Sequence, residues 1–142
     1  MGMPDFNARS KENENAVVAW RRHFHSFPEL SFSETETSKF IAAALEKMGC
    51  DHVTVGTCGR PTGVIADITG RRPGRRAALR ADMDALPVTE ETGLPFASQH
   101  PGVMHACGHD GHMAMLLGAA QMLCEVKEQL PGAVRLIFQP SE

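Results

Sequence analysis

The run Met104-His105-Ala106-Cys107-Gly108-His109-Asp110-Gly111-His112 places one thiol, three imidazoles and a carboxylate within nine residues. Cys and His are the side chains that best bind borderline transition metals. The two glycines let the backbone turn tightly enough to aim several of these groups at one point. A run rich in Met, Leu, Ala and Gly follows at once, so the cluster is expected where a loop enters a buried helix over residues 111 to about 127. Loop-to-helix junctions of this kind are where layered α/β scaffolds carry working groups.

The flanking sequence supports that architecture. Residues 1–13 are polar and read as a flexible terminus, with a folded unit over 14–142. Val17, Trp20, Phe24 and Phe27 recur at helical spacing until Pro28 stops the pattern. Ser33 with Glu36 has the form of a capping box ahead of a second helix, with Phe40, Ile41, Ala44, Leu45 and Met48 on one face and Gly49 near its end. Strands are then predicted at 53–55, 63–68, 77–81 and 133–138, punctuated by Gly and Pro. The arginine-rich stretch 70–76 reads as a solvated hairpin tip between two of them. Helices followed by strands that alternate with a helix predict an α/β domain, a layered sheet with helices on its faces.

Chemistry-bearing side chains gather where such sheets place sites, at strand ends. Asp82 and Asp84 follow one predicted strand, share one side of an extended segment, and can bind a metal or orient a ligating His. Glu142 follows another strand, as a possible base or ligand. Cys107 and His109 are the leading metal-ligand candidates. Asp110 is a candidate supporting residue or simply the N-cap of the following helix, and His105 and His112 are candidates for substrate or supporting contacts. His23 and His25 fall on a polar helix face and are expected in solvent. Cys50, Cys58 and Cys124 have no metal-like neighbours in sequence and read as core or surface thiols.

Composition narrows the partners. A net charge of −3 gives no global field toward nucleic acid or anionic membrane. No aromatic residue interleaves with the arginines of 70–76, so bases have no stacking platform. There is no long apolar run and no secretory pattern, and the Met1-Gly2 start lacks the Ser or Thr of a myristoylation signal, with Phe6 in its place. A reducing cytoplasm is the expected setting for four scattered cysteines.

Four ordered stretches together resemble the amidohydrolase branch of the M20 metallopeptidases, which includes hippurate hydrolases and N-acyl-amino-acid amidohydrolases. They are Arg22-His23-Phe24-His25 with Pro28-Glu29-Leu30-Ser31-Phe32, then Ala78–Pro87, His105–His112 and Phe138-Gln139-Pro140-Ser141-Glu142. The resemblance implies the N-terminal part of a zinc-peptidase-like catalytic domain, with Cys107 and His109 as metal ligands, Glu142 as general base and Asp84 supporting the site from behind. It implies two divalent ions per complete site (Zn, Mn, Co or Ni) and a small N-acyl amino acid or short peptide as substrate. The full-length form would be a homo-oligomer. Ser141 stands where the family motif usually has Ala. The family's further ligands and its lid or dimerisation domain have no counterpart in these 142 residues, which are therefore expected to be inactive by themselves. Two other readings remain open: a non-catalytic metal-binding or interaction module derived from the same fold, and thiol chemistry with Cys107 as nucleophile.

Overall fold

The computed structural model describes residues 3–56 and 59–142. Cys58 and the Met1-Gly2 start lie outside the described residues. The elements run α1 (Phe6–Glu12), α2 (Glu14–Ser26), α3 (Thr35–Met48), β1 (Asp51–Val55), β2 (Val64–Thr69), β3 (Arg72–Asp82), α4 (His109–Glu125), a short 3-10 turn (Lys127–Gln129) and β4 (Pro131–Gln139).

The strands form one mixed sheet in the order β1-β2-β4-β3. β2 pairs antiparallel with β1 and β4, whereas β3 pairs parallel with β4. β3, α4 and β4 are thus a strand–helix–strand crossover, the connection that parallel pairing requires. β4 lies between β2 and β3, so the expected hairpin between those two strands does not form. Gly70 N–H donates instead to Gly132 of the β4 start (2.8 Å). Arg72, Arg75 and Arg76 consequently lie in the exposed first half of β3 and not at a hairpin tip.

The α/β layering expected from the sequence is the layering the chain adopts. Val64, Ala66 and Ile68 alternate along β2 and meet Phe138, Leu136 and Val134 across the ladder. The first five are buried in the core, with Val134 packed against it. Ile41 and Leu45 of α3, Phe24 of α2, and Met113, Leu116, Leu117 and Ala120 of α4 complete that core. On the opposite sheet face Ile65, Arg135 and Ile137 are only partly covered. α2 crosses α4 closely: a Cβ built on Gly118 would stand 2.7 Å from Val17 Cγ2, so only glycine fits there undisturbed.

Two local expectations change. The segment predicted to be a flexible terminus contains α1, because Asp5 caps it through Asn7 N–H (2.9 Å) and Arg9 reaches Glu125 of α4. The Ser33–Glu36 capping box does not form. Glu29, from the preceding loop, accepts from the N–H groups of Thr37 (2.8 Å) and Glu36 (3.2 Å). A carboxylate at that end also suits the helix dipole, and it ties the 28–32 loop to α3.

Candidate metal centre

β3 and β4 run side by side and end together, and α4 begins beside those ends. Register alone therefore gathers Asp82, Asp84, Glu142 and the first turn of α4. Met83 N–H donates to Gln139 (3.0 Å), which keeps the two chains paired up to the site. Ala85 N–H donates to the Glu29 carbonyl (2.8 Å), which brings the 28–32 loop alongside.

His109 is the hub. Its Nδ1 faces the Asp84 carbonyl (2.9 Å) and Asp84 Oδ1 (3.1 Å), both acceptors, which suits a proton on that nitrogen and leaves Nε2 as the position that could face a metal. Asp84 is fixed in turn by the Ser31 hydroxyl (2.8 Å) and receives Glu142 N–H (3.4 Å). Nε2 points at Glu142 Oε2 (3.1 Å) and Asp82 Oδ2 (3.6 Å), and His112 Nδ1 lies 3.4 Å from the same Asp82 oxygen. Asp82, His109 and His112 each offer a ligand atom, and the three atoms lie within 4.8 Å of one another. Imidazole nitrogens and carboxylate oxygens gathered at this spacing form a donor set that a divalent cation would fit. The carboxylate behind the imidazole is the partner that metal-bound histidines generally have.

Cys107 is exposed and is not one of the three groups whose ligand atoms lie together. The geometry thus joins His109 to Asp82 and His112, whereas the sequence pairs it with Cys107. Glu142 reaches Nε2 with its side chain still more than half exposed (58%).

The remaining expectations divide. Asp110 is not the N-cap of α4; Gly108 holds that position. Asp110 is buried, and its carboxylate accepts from Arg21 Nε (3.0 Å) and its own neighbour Gly111 N–H (2.9 Å), with His25 Nδ1 at 2.7 Å. His25 is itself buried, with Nε2 3.1 Å from Glu90, so the expected solvent position of this residue is wrong. Helical spacing could not show that the 84–108 loop folds back over α2 and brings Glu90 with it. His23 is not free in solvent either; it stacks on Phe40 with ring centroids 4.0 Å apart. His105 is buried with neither ring nitrogen hydrogen-bonded. Burial pushes its pKa down to about 4, with the His25 and His109 side chains acting in the same direction and Asp110 opposing.

Glu34 escaped the sequence reading altogether. It is fully buried and accepts from Thr62 Oγ1 (2.8 Å) and Ser141 N–H (3.1 Å), holding the turn that delivers Glu142. An acid immediately before a helix looks like an ordinary cap, and the local sequence carries no other signal.

Comparison with known proteins agrees with this geometry. Residues 78–142, which hold every group around His109 except the 28–32 loop, match the model of peptidase family M20/M25/M40. The N-acyl-L-amino acid amidohydrolase of Geobacillus stearothermophilus is 49% identical over 133 residues, covering 92% of this chain and 35% of that protein. Thermostable carboxypeptidase 1 of Saccharolobus solfataricus is 52% identical over 132 residues, covering 93% of this chain and 33% of that protein. Among solved structures, YXEP of Bacillus subtilis, described as a dinuclear metal-binding peptidase of the M20 family, superposes with a TM-score of 0.86. It is 47% identical, and the match covers 93% of this chain and 36% of that one. The fold is that of a metallopeptidase catalytic domain. The chain is similar to the M20 family and to its amidohydrolase branch, and it spans about a third of the length of the relatives it matches.

Proposed function

We propose that this chain supplies one half of the active site of a metal-dependent amidohydrolase that cleaves N-acyl amino acids into a carboxylic acid and an amino acid. The observation that carries the reading is His109, held through Nδ1 by Asp84 while Nε2 faces Asp82 and Glu142. When bound, divalent ions supply Lewis acidity and lower the pKa of water. Zn, Mn, Co and Ni all suit a set with imidazole and carboxylate donors.

The chain's own residues have separable roles. His109, Asp82 and His112 hold metal, and Cys107 joins them: its thiol stands two residues from His109 across a glycine, and the family resemblance assigns it there. Asp84 fixes the His109 ring, and Ser31 fixes Asp84. Glu142 Oε2 takes the proton of the attacking water and returns it to the departing amine nitrogen. Its exposed carboxylate leaves room for both partners. Substrate selection, whether hippurate or another N-acyl amino acid, and assembly into a homo-oligomer belong to the complete protein, which would act in the cytoplasm. None of the described helices is long and apolar enough to cross a membrane.

Metal binding to the 142-residue chain tests the reading, with Cys107→Ala, His109→Ala and Asp82→Ala compared in parallel. Stoichiometric binding lost in His109→Ala is the expected result. The other two variants then decide whether the thiol or the Asp82 carboxylate completes the set. Metal binding unchanged by all three substitutions would refute the site. Amidase assays on N-acetyl and N-benzoyl amino acids, run on the complete protein with Glu142→Gln, test the base. Retained turnover in that variant would remove Glu142 from its role.

A further inference from the structure

Cys50 and Cys124 are 74 positions apart in sequence, yet their sulfurs lie 3.5 Å apart. Each is placed by the end of a helix. α3 closes with Gly49 N–H donating to Glu46 (3.0 Å) and Cys50 N–H to Leu45 (3.1 Å), a double closure that fixes the position of Cys50. Cys124 is the penultimate residue of α4. Both are half-buried against the rim of the core. Lys127 bonds the Gly49 carbonyl (3.2 Å) and the Asp51 carboxylate (2.6 Å), so an ammonium brackets Cys50 on both sides. A groove between α2, α3 and α4, lined by Trp20, Ala44, Met48 and Gln121, opens onto Cys124.

We propose that Cys50 and Cys124 are a reversible dithiol–disulfide pair, a modification site that takes a low-molecular-weight disulfide as its oxidant. Either thiol can donate the hydrogen bond between the two sulfurs. Cys124 lines the open groove and is therefore the attacking sulfur; with Cys50 as donor, the shared bond holds the Cys124 thiol below its usual range and pushes Cys50 up. The Cys124 thiolate attacks one sulfur of the small disulfide, forms a mixed disulfide and expels one small thiolate. Cys50, its proton lost to solvent, then attacks Cys124 Sγ, closes the protein disulfide and expels the second small thiolate. Two protein thiols are oxidised, one small disulfide is reduced to two thiols, and the two released protons end on those thiols. Closure brings the sulfurs from 3.5 Å to about 2 Å. The product ties the start of β1 to the end of α4, the helix whose other end carries His109. Neither cysteine touches that site, so this pair stands or falls independently of the proposed activity.

The test incubates the 142-residue chain with oxidised glutathione, alkylates free thiols and cleaves after methionine. Fragment 49–83 then carries Cys50, 123–142 carries Cys124 and 105–113 carries Cys107. The expected result is a monomer two hydrogens lighter with 49–83 linked to 123–142, and a link that dithiothreitol reverses. Cys58 shares the first fragment, so Cys58→Ser should keep the link and Cys50→Ser should lose it and trap one glutathionyl group on Cys124. Unlinked fragments in the wild-type chain, or a link that survives Cys50→Ser, overturn the proposal. Further cleavage before Asp51 separates Cys50 from Cys58 in the wild-type map, so the answer is read even where a variant fails to fold.

Discussion

The two ends of α4 follow opposite physical rules. At the C-terminal half Leu116, Leu117 and Ala120 are buried among apolar side chains from α3 and the sheet. At the N-terminal turn His109 and Asp110 are just as buried, but every neighbour that matters is polar: Asp84, Asp82, Arg21, His25 and Glu142. Apolar burial is non-directional and roughly proportional to area. Buried charge is tolerated only with specific partners at hydrogen-bond distance. One helix therefore contributes stability at one end and oriented groups at the other, and substitutions at the two ends should fail in different ways.

Leu117→Ala should give the largest effect, because the residue is fully buried and the cavity it leaves can close only in part. A loss of about 2–5 kcal/mol in denaturant unfolding is expected, with any remaining folded protein keeping its metal affinity. Asp84→Asn should do the reverse. It disturbs the partner of His109 Nδ1 and should weaken divalent-metal binding about 10–100-fold by calorimetry, with a smaller change in thermal midpoint. If both variants lowered stability and affinity in proportion, the division of labour along α4 would be wrong.

Gly118→Ala probes the middle of the helix. Alanine gains about 1 kcal/mol of helix propensity over glycine, but its methyl would stand 2.7 Å from the β-branched Val17. Overpacking of this kind costs about 1–3 kcal/mol, so a modest net destabilisation is expected. A stabilised variant would show that α2 can shift away from α4. The smallest effect is expected on the far sheet face, where Arg135 holds Asp67 through two hydrogen bonds (2.9 and 2.8 Å). Those bonds hold the Asp67 carboxyl below its usual range against the opposing effect of burial. A depressed folded value adds stability that is complete above the unfolded pKa of about 3.9 and is lost as pH falls through the folded value. Arg135→Ala should therefore lower stability only slightly at neutral pH, and the gap to the wild type should vanish in strong acid. A gap that persists there would assign the effect to packing of the arginine stem.

What could be read from the chain follows from how far each signal reaches. The helical period of Val17, Trp20 and Phe24 and the apolar runs at 64–68 and 133–138 are local, and they located α2, β2 and β4. The crowding of Cys107, His109, Asp110 and His112 is also local, and it located the candidate site. Asp82 and Asp84 were legible because a strand end is a short-range pattern. The pairing of β3 with β4 in place of β2 was not legible, since either partner satisfies the same alternation. Nor was the His25–Asp110 contact, which spans 85 positions.

By itself the sequence determined the layered α/β class, the family resemblance and the identity of the reactive groups, because composition and short-range periodicity are properties of the chain before it folds. Tertiary structure alone decided which groups meet. It put Asp82, His112 and Glu142 around Nε2 of His109, buried Glu34 behind the Glu142 turn, and brought Cys50 to Cys124. The physical reason is that charge–charge and thiol–thiol encounters depend on distance in space, and that distance is set by strand register and helix crossing, which no local pattern encodes.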